Sequence, residues 1–78
     1  MTDTVILTFR GHFPPGSFGE FARHRAARLS LSLDLIDQTV SLSRMRVTGP
    51  APLLDAFEMA LSLGPHDCLV RDVARGNA

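Results

Sequence analysis

Thr4-Val5-Ile6-Leu7-Thr8-Phe9, then Arg10-Gly11-His12-Phe13-Pro14-Pro15-Gly16, then Ser17-Phe18-Gly19-Glu20 is the stretch on which the fold turns. The first six residues are β-branched and aliphatic, with Val5, Leu7 and Phe9 at period two, which predicts a strand with one buried face. The glycines and prolines that follow predict a loop. Ser17 and Glu20 have the spacing of a capping box, so Ser17 is expected to cap a helix. Phe18, Phe21, Ala22, Ala26 and Leu29 then recur at helical spacing, while Glu20, Arg23, His24, Ala27 and Arg28 fall mostly on the other side.

Outward from that stretch, Leu31, Leu33 and Leu35 alternate with polar residues and predict a second strand. Val40-Ser41-Leu42-Ser43, followed after a change of phase by Met45 and Val47, predicts a third, and the slip at Ser43-Arg44 predicts a bulge or a displaced turn. The turn between them, at Asp37-Gln38-Thr39, lacks glycine. Gly49-Pro50-Ala51-Pro52 stops the third strand and starts a helix, whose buried stripe is Leu53, Leu54, Phe57, Ala60 and Leu61. Gly64-Pro65 ends it. Cys68 to Val73 is the last strand, and Ala74 to Ala78 reads as a frayed tail. The order β-α-β-β-α-β predicts an α+β fold: a ferredoxin-like sandwich with two helices on one face of an antiparallel sheet.

Seventy-eight residues allow one domain, 1–78, with its core at about 4–73. Eight basic and eight acidic side chains cancel, leaving no net field to draw the chain to nucleic acid or an anionic membrane. Arg44 and Arg46 share a strand face, but the central strands offer only Phe9 as a stacking platform for bases. No apolar run reaches the roughly 20 residues of a membrane span. Met1-Thr2-Asp3-Thr4 does not read as a signal peptide, and the expected location is the cytoplasm. Cys68 stands alone, which excludes an internal disulfide or a thiolate metal cage. His12, His24 and Asp37 lack a diagnostic metal spacing, so neither metal nor cofactor is expected.

The segment Phe9-Arg10-Gly11-His12-Phe13-Pro14-Pro15-Gly16-Ser17-Phe18-Gly19 resembles the acylphosphatase signature, apolar-x-Gly-x-Val-Gln-Gly-Val-x-Phe-Arg. The match runs on without a gap through Ala26, Leu29, Leu31, Gly49, Phe57, Leu61, Gly64-Pro65, Val70 and Val73. That family hydrolyses the carboxyl-phosphate bond of acyl phosphates without a cofactor. The resemblance implies a phosphate cradle of loop N–H groups at a helix N-terminus, an arginine clamp, and an asparagine that orients the attacking water. Here the arginine position holds Gly19 and the asparagine position Asp37. Pro14 and Pro15, which have no N–H, replace the Gln-Gly pair.

The resemblance therefore implies an acylphosphatase-like domain that has lost hydrolysis and acts as a small binding or interaction module. Two alternatives stand beside it. One is an active acylphosphatase with Arg23, one helical turn from Gly19, as a substitute clamp. The other is a regulatory domain binding a phosphate-like anion or small ligand at Gly16, Ser17, Phe18 and Gly19. Family members usually continue into one more short strand. A free sheet edge, and self-association through it, is therefore expected.

Overall fold

The computed structural model describes residues 2–77. β1 (Thr2–His12) leads to α1 (Ser17–Arg28), β2 (Ser32–Gln38), β3 (Leu42–Pro50), α2 (Ala51–Leu63) and β4 (Leu69–Asn77). The strands form one antiparallel sheet in the order β2-β3-β1-β4. This is the predicted βαββαβ sandwich. The alternation in β1 sends Val5, Leu7 and Phe9 beneath the helices, where Met45 and Val47 of β3 join them in register. Phe18, Ala22 and Ala26 of α1 and Leu54, Phe57 and Leu61 of α2 close the core from above. The other sheet face carries Thr4, Ile6, Thr8, Arg44 and Arg46. Phe9 is fully buried on the helix side, so the helix-free face presents no aromatic from this strand.

Several local expectations are corrected. Ser17 does not cap α1; the cap residue is Gly16, in a left-handed conformation at φ 79°. Pro14 to Ser17 form a turn closed by the Ser17 N–H on the Pro14 carbonyl at 3.2 Å. Pro15 and Gly16 take its two central places, as a type II turn favours. α1 ends with Leu31 N–H on Ala26 O (2.9 Å) and Ser30 N–H on Ala27 O (3.2 Å), a Schellman closure. Ser30 occupies its left-handed position, at φ 57°, where glycine is usual.

The bulge lies on β2, not β3. Ser43, Met45, Val47 and Gly49 are all buried, so β3 keeps a single phase from its start at Leu42. Opposite it, Leu35 pairs with Met45 and Asp37 with Arg44, leaving Ile36 as the extra residue. The turn is correspondingly later, at Thr39–Ser41. Its closing bonds are Thr39 N–H on Leu42 O and the Ser41 and Leu42 N–H groups on the Thr39 hydroxyl.

The tail expected to fray is paired through Asn77, with Ala74 opposite Thr8, Arg75 opposite Leu7, Gly76 opposite Ile6 and Asn77 opposite Val5. Ala78 lies outside the described residues. This segment has no apolar alternation to announce it. Backbone pairing holds it, together with Arg75, whose Nη1 meets Asp55 Oδ1 at 2.7 Å and Glu58 Oε1 at 3.3 Å on α2. The outer edges of β2 and β4 pair with no further strand among the described residues.

Candidate functional site

The loop between β1 and α1 is anchored from within. Phe13, within the predicted loop, is buried and packs on Phe18 with ring centroids 4.5 Å apart. Its N–H donates to Val40 O at 2.7 Å, and the Gly11 N–H to Ser41 O at 3.1 Å. The end of β1 thus binds the β2–β3 turn, and the loop that remains is only the tight turn through Pro14 and Pro15.

Gly16, Ser17, Phe18 and Gly19 are brought together at the first turn of α1. Their donors are not equally available. Pro14 O takes the Ser17 N–H, whereas those of Gly16, Phe18 and Gly19 meet no carbonyl among the described residues. Phe18 points its side chain into the core, and Gly19 is buried; a Cβ there would sit 3.4 Å from Leu35 Cδ1. Arg23 is not held against this turn. Its Nη1 lies 3.9 Å from Glu20 Oε2, and both side chains are exposed. His24 also meets Glu20, at 3.4 Å.

One participant comes from far along the chain. The Ser17 hydroxyl donates to both Asp67 carboxylate oxygens, at 2.8 and 2.9 Å, and the Cys68 thiol lies 3.6 Å from the same hydroxyl. This bond holds the Asp67 carboxyl below its ordinary range, while burial pushes the Cys68 thiol up. A carboxylate therefore stands at the N-terminus of α1, where the helix dipole favours an anion. Its charge opposes the approach of a second one. Because folding depresses the Asp67 pKa, the contact stabilises above the ordinary carboxyl value of 3.8 and is lost as pH falls through the lower folded value. Ser17→Ala is expected to return the Asp67 titration toward 3.8, as read by carbon-detected NMR. An unchanged midpoint would mean that the hydroxyl is not what depresses it.

Asp37 does not reach the loop. Its partner across the ladder is Arg44, exposed on the helix-free face, whereas Gln38 stands opposite buried Ser43. Gln38 Oε1 accepts the Ser43 hydroxyl at 2.7 Å and Nε2 donates to Thr39 O at 3.0 Å. The bulge at Ile36 puts Asp37 and Gln38 on opposite faces of the sheet. A carboxamide, not a carboxylate, faces the turn. Gln38 and Gly16 line one cleft of about 250 Å³, together with Phe13, Pro15, Thr39 and Val40. The described residues contain no group of three metal-ligating side chains, and no helix is long and apolar enough to cross a membrane.

No family sequence model matches the chain, and no curated protein matches it by sequence. Solved structures do. An acylphosphatase from Coxiella burnetii superposes with a TM-score of 0.88 at 18% identity, over 99% of this chain and 81% of that one. One from Bacillus subtilis gives 0.87 at 18% identity, over 100% of this chain and 86% of that one.

The fold is that of the acylphosphatases.

Full-length HypF, in a phosphate- and nucleotide-bound form, contains a similar unit. This chain matches it at 0.86 and 14% identity, covering all of itself and 10% of that protein. The de novo protein Foldit4 is a more distant neighbour, at 0.62 and 8% identity. The acylphosphatase fold is thus present here at 14–18% sequence identity to these structures.

Proposed function

We infer that this domain keeps the acylphosphatase fold without acyl-phosphate hydrolysis and works as a small binding or interaction module. The observation that carries this reading is the closed Pro14–Ser17 turn, which spends the Ser17 N–H on a carbonyl and offers no N–H at Pro14 or Pro15. Three further features support it. Gly19 falls where the resemblance puts the arginine clamp, Arg23 lies against Glu20, and the Asp67 carboxylate occupies the Ser17 hydroxyl. Loss of one preorganised donor from such a site costs about 10²–10³ in rate, and here several losses coincide. The open edges of β2 and β4 are the surfaces on which a partner strand would add.

Purified protein should therefore hydrolyse benzoyl phosphate no faster than buffer at neutral pH. Gly19→Arg combined with Asp37→Asn should not change that, because the Pro14 carbonyl still holds the turn shut and Asp37 faces the wrong side of the sheet. Turnover above the spontaneous rate in the wild type would overturn the reading. Its loss on Arg23→Ala would then assign the clamp to Arg23.

A further inference from the structure

We propose that the outer face of α2 is an interface at which two copies of this chain pair, with their α2 helices parallel. The proposal names a partner for the domain and rests on the reading of it as an interaction module. α2 is apolar on two sides. Leu54, Phe57 and Leu61 face the core. Pro52, Ala56, Met59 and Leu63 lie on the opposite, exposed side, with Met59 70% and Leu63 81% exposed. A surface helix ordinarily gives that side to polar residues. The spacing of the four, at 52, 56, 59 and 63, is the alternation of four and three by which one helix packs along another.

Met59 is the ridge between two shallow grooves. On one flank lie Ala60 and, from α1, Phe21 and Arg25. The Arg25 guanidinium sits over the Phe21 ring, 5.5 Å from its centroid, and no carboxylate lies within ion-pair reach of it among the described residues. On the other flank lie Asp55, Glu58 and Ser62 of α2, with Arg75 of β4. Arg75 is shared between the two carboxylates, so this flank keeps an excess of negative charge.

The flanks decide both partner and direction. Two-fold related helices that run antiparallel set each flank against its own copy, so Arg25 would face Arg25 and Asp55 would face Asp55. Parallel helices exchange flanks, as the e and g positions of a parallel coiled coil do. Arg25 of each copy then meets the Asp55 and Glu58 side of the other, while Met59 and Leu63 pack on their own counterparts across the axis. The face thus complements itself, as an isologous contact requires. The 13 residues of α2 span about 20 Å, so the contact belongs with small, weak interfaces.

Sedimentation equilibrium of the full chain, followed by interference optics because Trp and Tyr are absent, should give a monomer–dimer equilibrium with a Kd of about 10–100 µM, weaker than standard-size interfaces reach. On dilution the ¹⁵N-labelled amides of Arg25, Ala56, Met59 and Leu63 should shift, and those along β2 and β4 should stay in place. Met59→Asp sets two carboxylates against each other at an exposed position outside the core. It should weaken the dimer at least tenfold while the amide spectrum of the monomer is retained. Arg25→Gln keeps the stem beside Phe21, removes the charge and should weaken the dimer several-fold; in an antiparallel pair it would relieve repulsion and tighten it. A monomer at millimolar concentration, a dimer insensitive to Met59→Asp, dilution shifts confined to β2 or β4, or association unchanged or tightened by Arg25→Gln each overturns the proposal. None of these readouts measures turnover, on which the loss of hydrolysis stands or falls.

Discussion

Phe18→Ala should leave the domain largely unfolded at room temperature. The ring is fully buried in the first turn of α1, edge-on to Phe9 at 5.3 Å between centroids and tilted against Phe13 at 4.5 Å. It therefore joins three elements: the central strand, the loop and the helix. Truncating a buried phenylalanine typically costs about 3–5 kcal/mol, lost transfer energy plus the cavity left behind. A domain of this size holds only about 3–5 kcal/mol in total. Far-ultraviolet circular dichroism in a urea series would read the result, with the wild type giving a sigmoidal transition and the variant little or none. A transition shifted by less than the equivalent of ~1 kcal/mol would mean that the three rings are not the keystone of this core. The site depends on the same ring. Phe18 fixes the helix start on the sheet, so the Pro14–Ser17 turn and the Gln38 carboxamide keep their spacing only while it is packed.

How far the chain could be read without coordinates varies from element to element, for physical reasons. The strands with one buried face declare themselves, because pleating converts burial into alternation: Val5-Leu7-Phe9 and Met45-Val47 are both legible and both in the core. Proline and glycine mark both ends of α2 for equally local reasons, since Pro52 suits the first helical turn and Gly64 takes φ 65° at its close. The end of β4 is different. An edge strand held by backbone pairing needs no apolar side chains, and Ala74 to Asn77 carry none of the signal while each pairs with β1. The bulge at Ile36 is a property of two strands together. In β3 alone, Leu42 resembles a buried residue and Ser43 an exposed one; in the structure Ser43 is fully buried, its hydroxyl satisfied by the Gln38 carboxamide, and Leu42 is only half-buried. With the bulge, Gln38 rather than Asp37 stands beside the buried Ser43 hydroxyl, and Asp37 lies opposite exposed Arg44. Asp67 was beyond reach for another reason: it meets Ser17 across fifty positions of sequence, and neither residue has a neighbour pattern that names the other.

Gly11→Ala should detach the start of β4, and Asp67 with it. A Cβ at Gly11 would lie 1.8 Å from the Leu69 carbonyl oxygen, 2.8 Å from its carbon and 3.1 Å from Val70 Cα. Those atoms are backbone, so no rotamer change relieves the clash. The ladder already shifts register between Arg10 and Gly11, which is how two strands come this close. Relief requires β4 to move away at Leu69 and Val70, and the expected loss is about 3 kcal/mol, the top of the usual range for one substitution. Unlike truncation of Phe18, the damage has a place. Native-state hydrogen exchange should show the β4 amides exchanging far faster than those of β3, whose pairing with β1 and β2 is untouched. Retained protection in β4 would mean that the strand can shift at little cost. The consequence for the site follows from chain continuity. Asp67 lies two residues before Leu69, so a β4 that has left Gly11 no longer holds the carboxylate on the Ser17 hydroxyl. In Gly11→Ala the Asp67 titration should rise toward 3.8 together with the loss of β4 protection, because one close approach of backbone to backbone supports both.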